Sequence, residues 1–106
     1  MNSFNEREKG FERKFAHDQE LQFKASARRN KLLGQWVAQL MGLEHEAAEN
    51  YAKSVIKADL EEPGDEDVFR KVRKDLDEKN ISISDVELRE KMFALMTTAV
   101  EQIEDE

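Results

Sequence analysis

The chain has 106 residues, 39% of them charged, a formal charge of −7 and no cysteine. That length fits one domain with a modest core, and the acidic balance argues against nonspecific binding to nucleic acid or to anionic membrane. The missing cysteines exclude disulfides, thiolate chemistry and Cys-based zinc sites. No apolar run approaches the ~18 residues of a membrane span, and the N-terminus carries no signal-peptide core, so a soluble cytoplasmic protein is expected.

The charge is unevenly placed. Residues 1–40 hold eight Lys and Arg against five Asp and Glu, which leaves −10 on residues 41–106. Residues 3–19 read as a charged helix, with Ser3 as N-cap and Glu6 three positions on. On such a helix Phe4, Phe11 and Phe15 fall within about 40° of one another. Arg7 and Lys14 border one edge of this strip, and Glu8 and Glu12 border the other. A strip of that kind suits insertion into a partner's groove. It suits a lipid surface less well, because bases do not dominate its polar side. Packing back onto the rest of the chain is the competing reading, and the pattern alone leaves the two evenly balanced.

Residues 1–19 are therefore set apart as an arm, and residues 20–106 read as an all-α four-helix bundle. The first bundle helix covers about 20–42, where Phe23, Ala27, Leu33, Trp36, Val37, Leu40 and Met41 recur at helical spacing until Gly42 stops it. A second covers about 44–59, with Ala48, Tyr51, Ala52 and Val55 on one side. Pro63-Gly64-Asp65 begins a third, about 65–79, marked by Val68, Phe69, Val72 and Leu76 and ended by Asn80 as a left-handed cap. Ile81-Ser82-Ile83 is a connector. Ser84 and Glu87 form a capping box, with Ile83 and Leu88 as its staple, and open the last helix, about 84–104. There Leu88, Met92, Leu95, Met96, Ala99, Val100 and Ile103 define an apolar face. Trp36 and Phe69 are expected in the core, whereas Phe93 falls beside the apolar face.

Chemistry is sparse. His45-Glu46-Ala47-Ala48-Glu49 approaches the zinc-protease pattern, but Glu49 stands where a second His is required. His17-Asp18 reads as a surface pair, and neither phosphate-cradling glycine pattern occurs. Nothing supports catalysis, a metal or a required cofactor. The run Arg28-Arg29-Asn30-Lys31 spreads its cations around the helix, so they do not converge on one phosphate. A solvated surface paired with nearby acids is the plainer reading of Arg28, Arg29 and Lys31. Contact with an anion or an acidic partner is the alternative.

The strings SFNEREKGFE (from Ser3), KFAHDQELQFKASARRNKLLGQW (Lys14 to Trp36) and EDVFRKVRKDLD (Glu66 to Asp77) resemble the ATPase-inhibitor zeta subunit of alphaproteobacterial F-type ATP synthases. The likeness covers nearly the whole chain. It implies a four-helix fold whose N-terminal segment enters the F1 sector at a catalytic α/β interface next to γ and blocks ATP hydrolysis. The partners would be the α, β and γ subunits, at the inner face of the membrane, and the free protein would be monomeric. The resemblance names the arm. The roles of Phe4, Phe11 and Phe15 as anchors and of Arg7, Glu8, Glu12 and Lys14 as polar contacts come from the strip. Some members of the family are also held to bind ATP or ADP weakly, which leaves a small nucleotide- or anion-sensing domain as the alternative function.

Overall fold

The computed structural model describes residues 19–61 and 65–106. Four helices account for most of them: α1 (Gln19–Leu40), α2 (His45–Glu61), α3 (Glu66–Glu78) and α4 (Asp85–Glu104), with no strand among the described residues. The architecture is the expected all-α bundle. Helix α1 is its spine, packing along both α2 and α4, while α3 closes against α2.

Punctuation follows the backbone chemistry. Gly42 takes a positive φ of 75° after α1. Its N–H bonds to the Gln39 carbonyl at 3.1 Å, and the next N–H, of Leu43, reaches back to Ala38 at 2.9 Å. These two bonds make a Schellman cap, which the absence of a Cβ at Gly42 favours. Asn80 repeats the motif after α3 at φ 57°, with Asn80 bonded to Asp77 and Ile81 to Leu76, both at 3.0 Å. Ser84 caps α4 by accepting the Glu87 N–H at 3.1 Å. The Ser84 hydroxyl in turn donates to the Glu87 carboxylate at 3.3 Å, a side-chain bond in place of the one to the Ser84 N–H that the capping-box pattern implies. Arg73 ties the connector down by donating to the Ile83 carbonyl and to Asp77 and Asp85.

The core consists of Leu33, Val37, Val55, Val68, Phe69, Val72, Leu76, Leu88 and Met92. Every apolar position expected on α3 is buried. Helix α1 differs from expectation. Its buried stripe is Ala25, Arg29, Asn30, Leu33, Gly34, Val37 and Ala38, whereas Phe23 stays 61% and Leu40 39% exposed. Trp36 is only half-buried: it packs against the edge of the core, with the Lys91 ammonium 5.3 Å from its ring centre. The reason is steric. A Cβ built on Gly34 would lie 2.5 Å from the Ala52 Cα, so α1 turns its small side toward α2 and rotates the larger aromatics to the rim. Phe93 is 77% exposed.

Between α2 and α3, the Tyr51 hydroxyl donates to Asp75 at 2.7 Å, and Lys71 holds the same carboxylate oxygen at 3.0 Å. Burial, followed by that hydrogen bond, raises the Tyr51 pKa well above its ordinary 10.0. The folded chain thus keeps a proton that the unfolded chain releases near pH 10.0, so the stabilisation is complete below that pH and is lost as pH rises beyond it. Tyr51 is the one tyrosine in the chain. Alkaline titration should therefore show no tyrosinate absorbance at pH 10, and the band should appear only together with loss of helical circular dichroism.

Gly34→Ala tests the close crossing. Overpacking of about 1–3 kcal/mol should outweigh the ~1 kcal/mol that alanine gains in a helix interior. Thermal unfolding should show a lower Tm than the parent, against the rise that propensity alone would give.

Candidate functional site

Of the residues singled out by sequence, Phe4, Arg7, Glu8, Phe11, Glu12, Lys14 and Phe15 lie outside the described residues. Arg28, Arg29 and Lys31 lie on α1, and the helix sends them to different places. Arg28 donates to Gln102 at 2.9 Å and pairs with Glu106, tying the first half of α1 to the end of α4. Arg29, about 100° further around, turns inward and is 1% exposed. Its Nε donates to the Asn30 side-chain oxygen at 2.7 Å, and its Nη2 pairs with Asp65 at 2.8 Å. A guanidinium this buried requires such partners. Asn30 is fully buried beside it, and its Nδ2 lacks a hydrogen-bond partner among the described residues. Lys31 is exposed.

Arg29 is thus a structural cation linking α1 to the N-cap residue of α3. Asp65 makes no side-chain cap bond of its own, because its carboxylate is turned to Arg29. Beside this pair lies a small hollow of about 220 Å³ walled by Arg89, Met92, Phe93 and Met96. Arg89 is itself engaged, stacking 3.9 Å from the Phe69 ring centre and bonding both oxygens of Glu66.

The structure groups the cations differently from the sequence run. Lys24, Arg28 and Lys31 recur at i, i+4 and i+7, so they share one side of α1. Together with Phe23, Ile56 and Ile103 they line a hollow of about 350 Å³ at the end where α1 begins and α4 stops. The run 28–31 holds Arg29, which faces the interior, and not Lys24, which lies on the same side of α1 as Arg28 and Lys31.

A second hollow, about 540 Å³, lies between α2 and α3 and is lined in part by Ser54, Lys57, Asp67, Lys71 and Lys74. Its lysines come from two helices, and no sequence spacing links Lys57 to Lys71. Asp67 pairs with Arg70, and Asp75 holds Lys71. Among the described residues no three His, Cys, Asp or Glu side chains come together as a metal site. No helix there is long and apolar enough to cross a membrane.

Comparison with known proteins gives the family. The family model for ATPase inhibitor subunit zeta matches residues 1–102, nearly the whole chain and the N-terminal segment included. The chain belongs to that family. A protein solved by solution NMR is 50% identical, over 80% of this chain and 96% of its own, with a TM-score of 0.71. None of the curated proteins matches. The zeta family is by its description one of ATPase inhibitor subunits, hence regulatory proteins.

The division between structural and solvent-facing cations can be measured. Asp65→Asn should cost about 1.5–3 kcal/mol, the range for a hydrogen bond to a charged group. Lys31→Ala should stay within about 0.5 kcal/mol of the parent, as surface changes do. Urea unfolding of both variants checks the contrast.

Proposed function

We propose that this zeta-family chain inhibits ATP hydrolysis by the F1 sector of an F-type ATP synthase, using residues 1–19 as the inhibitory element at a catalytic α/β interface beside γ. The observation that carries this reading is the extent of the family match. It begins at residue 1 and so includes the Phe4/Phe11/Phe15 strip along with the bundle. The strip supplies apolar anchors, and Arg7, Glu8, Glu12 and Lys14 supply charged edges. An amphipathic helix laid in a groove binds through such spaced anchors. A wedge between subunits opposes rotation that closes the interface upon it and is expelled by rotation that opens it. Hydrolysis is therefore slowed more than synthesis.

In this account the bundle is a rigid holder, required to be stable and to present the arm, and the chain acts without a cofactor, as a monomer until it meets F1 at the inner membrane face. A second reading has one specific support. Lys24, Arg28 and Lys31 line a common hollow, which suits weak binding of an anion such as ATP or ADP.

Purified cognate F1, assayed for ATP hydrolysis with and without added protein, tests the first reading. The full chain should inhibit, and a chain lacking residues 1–18 should not, while keeping its helical circular dichroism. Phe11→Ala should weaken inhibition about tenfold or more, as loss of an anchoring aromatic does at other interfaces, without lowering Tm. Equal inhibition by the truncated chain would contradict the proposal.

A further inference from the structure

We propose that the outer face of α4, centred on Phe93, docks a basic amphipathic helix of the ATPase, holding the bundle on F1 while residues 1–19 make the block. The inference rests on the inhibitory role proposed for the chain. Helix α4 buries Leu88, Met92 and Ala99 against the bundle. On its opposite side Val86, Glu90, Phe93, Ala94, Thr97 and Glu101 fall within about 100° of one another, and all six are exposed. Phe93 is 77% and Val86 66% exposed, two turns apart on the same line.

The face has relief as well as area. Phe93 and Ala94 form a ridge with a hollow on each side. One hollow, about 340 Å³, lies between Ala94 and Trp36, with Ile83 at its edge. The other, about 220 Å³, is walled on its α4 side by Arg89, Met92, Phe93 and Met96. Exposed apolar surface grouped in this way marks a contact site. A ridge between two hollows is the form that seats against a helix, and methionine side chains adapt to what enters beside them. From Val86 to Glu101 the line runs about 22 Å, room for four turns of a partner helix.

Charge selects the occupant. The two bases that flank the line are both engaged: Arg89 bonds Glu66 and stacks on Phe69, and Lys91 sits over the Trp36 ring. The line itself carries Glu90 and Glu101, and Glu87 borders the Trp36 hollow. Apolar anchors set among carboxylates fit a helix whose apolar side chains are set among Lys and Arg. The same sign disfavours a second copy, because a two-fold pairing of this face would bring its carboxylates together. It disfavours an anionic lipid surface as well.

Two attachments on one chain reinforce each other. With α4 docked, rebinding of the arm becomes an intramolecular step. The α4 contact therefore sets the concentration at which the chain inhibits, and the arm sets how completely it does so.

The test uses the full chain and purified cognate F1, with binding followed by interferometry and hydrolysis assayed in parallel. Phe93→Glu should raise the Kd and the half-inhibitory concentration together by about tenfold or more. Its Tm and the inhibition reached at saturation should match the parent. Glu90→Lys combined with Glu101→Lys should raise both constants about 3–10-fold at low salt, and by less at high salt, where exposed charges are screened. An unchanged Kd and inhibition curve for Phe93→Glu overturns the proposal and leaves the inhibitory reading intact. A parent that sediments as a dimer and a Phe93→Glu variant that sediments as a monomer also overturn it, by assigning the face to a second copy. If Phe93→Glu loses binding while the bound parent leaves hydrolysis unslowed, docking stands and the inhibitory reading fails.

Discussion

The close approach of Gly34 to Ala52 governs the arrangement of this bundle. With only 2.5 Å between an added Cβ and the Ala52 backbone, α1 and α2 cross at a distance that only a glycine at this point permits. That contact fixes the rotation of α1 about its axis. Leu33, Val37 and Ala38 then face inward, Trp36 moves to the rim, and Arg29 is carried into the interior. Burial of a guanidinium creates a demand for partners. Asp65 and the Asn30 side chain answer it, which ties α1 to the first turn of α3. One steric constraint thus leads to an electrostatic one on a different helix.

The same rotation shapes the surface. Turning the small side of α1 toward α2 leaves Phe23 and the Lys24/Arg28/Lys31 side pointing toward the open end of the bundle, where α4 finishes with its acids. That end is also where residues 1–18 join. At that corner Arg28 holds Glu106 and Gln102, so the start of α1 and the end of α4 are tied where residues 1–18 join. Elsewhere the ion pairs are local: Arg73 with Asp77 and Asp85 secures a connector, and Arg89 with Glu66 joins α3 to α4. Glu66 titrates below the ordinary carboxylate range because Arg89 bonds and attracts its ionised form.

Much of the fold was legible in the sequence because its signals are local. Gly42 and Asn80 end their helices through backbone conformations that few residues adopt, and Ser84 begins one through a single hydrogen bond. The four apolar positions of α3, Val68, Phe69, Val72 and Leu76, fall on one face of a helix and bury as read. Helix α1 was less legible, because apolar character alone placed Phe23, Trp36 and Leu40 inside. The deciding term was the small volume of Ala25, Gly34 and Ala38, which matters only once α2 is present. The burial of Arg29 was not legible for the same reason, since nothing in ARRNK tells which cation faces the core. The hollow between α2 and α3 gave no signal at all, because its lysines are brought together only by packing. The family itself was legible in strings such as KFAHD and ARRNKLLG, and the family match bears this out.

The central claim is that residues 1–19, and not the bundle, make the inhibitory contact with F1. A photo-crosslinking residue placed at position 11 of the full chain, bound to cognate F1 and irradiated, tests it directly. The account predicts covalent adducts on the α or β subunit, in proportion to the inhibition of hydrolysis. Inhibited F1 with no adduct from position 11, but with adducts from the same crosslinker placed at position 93 on α4, would contradict it.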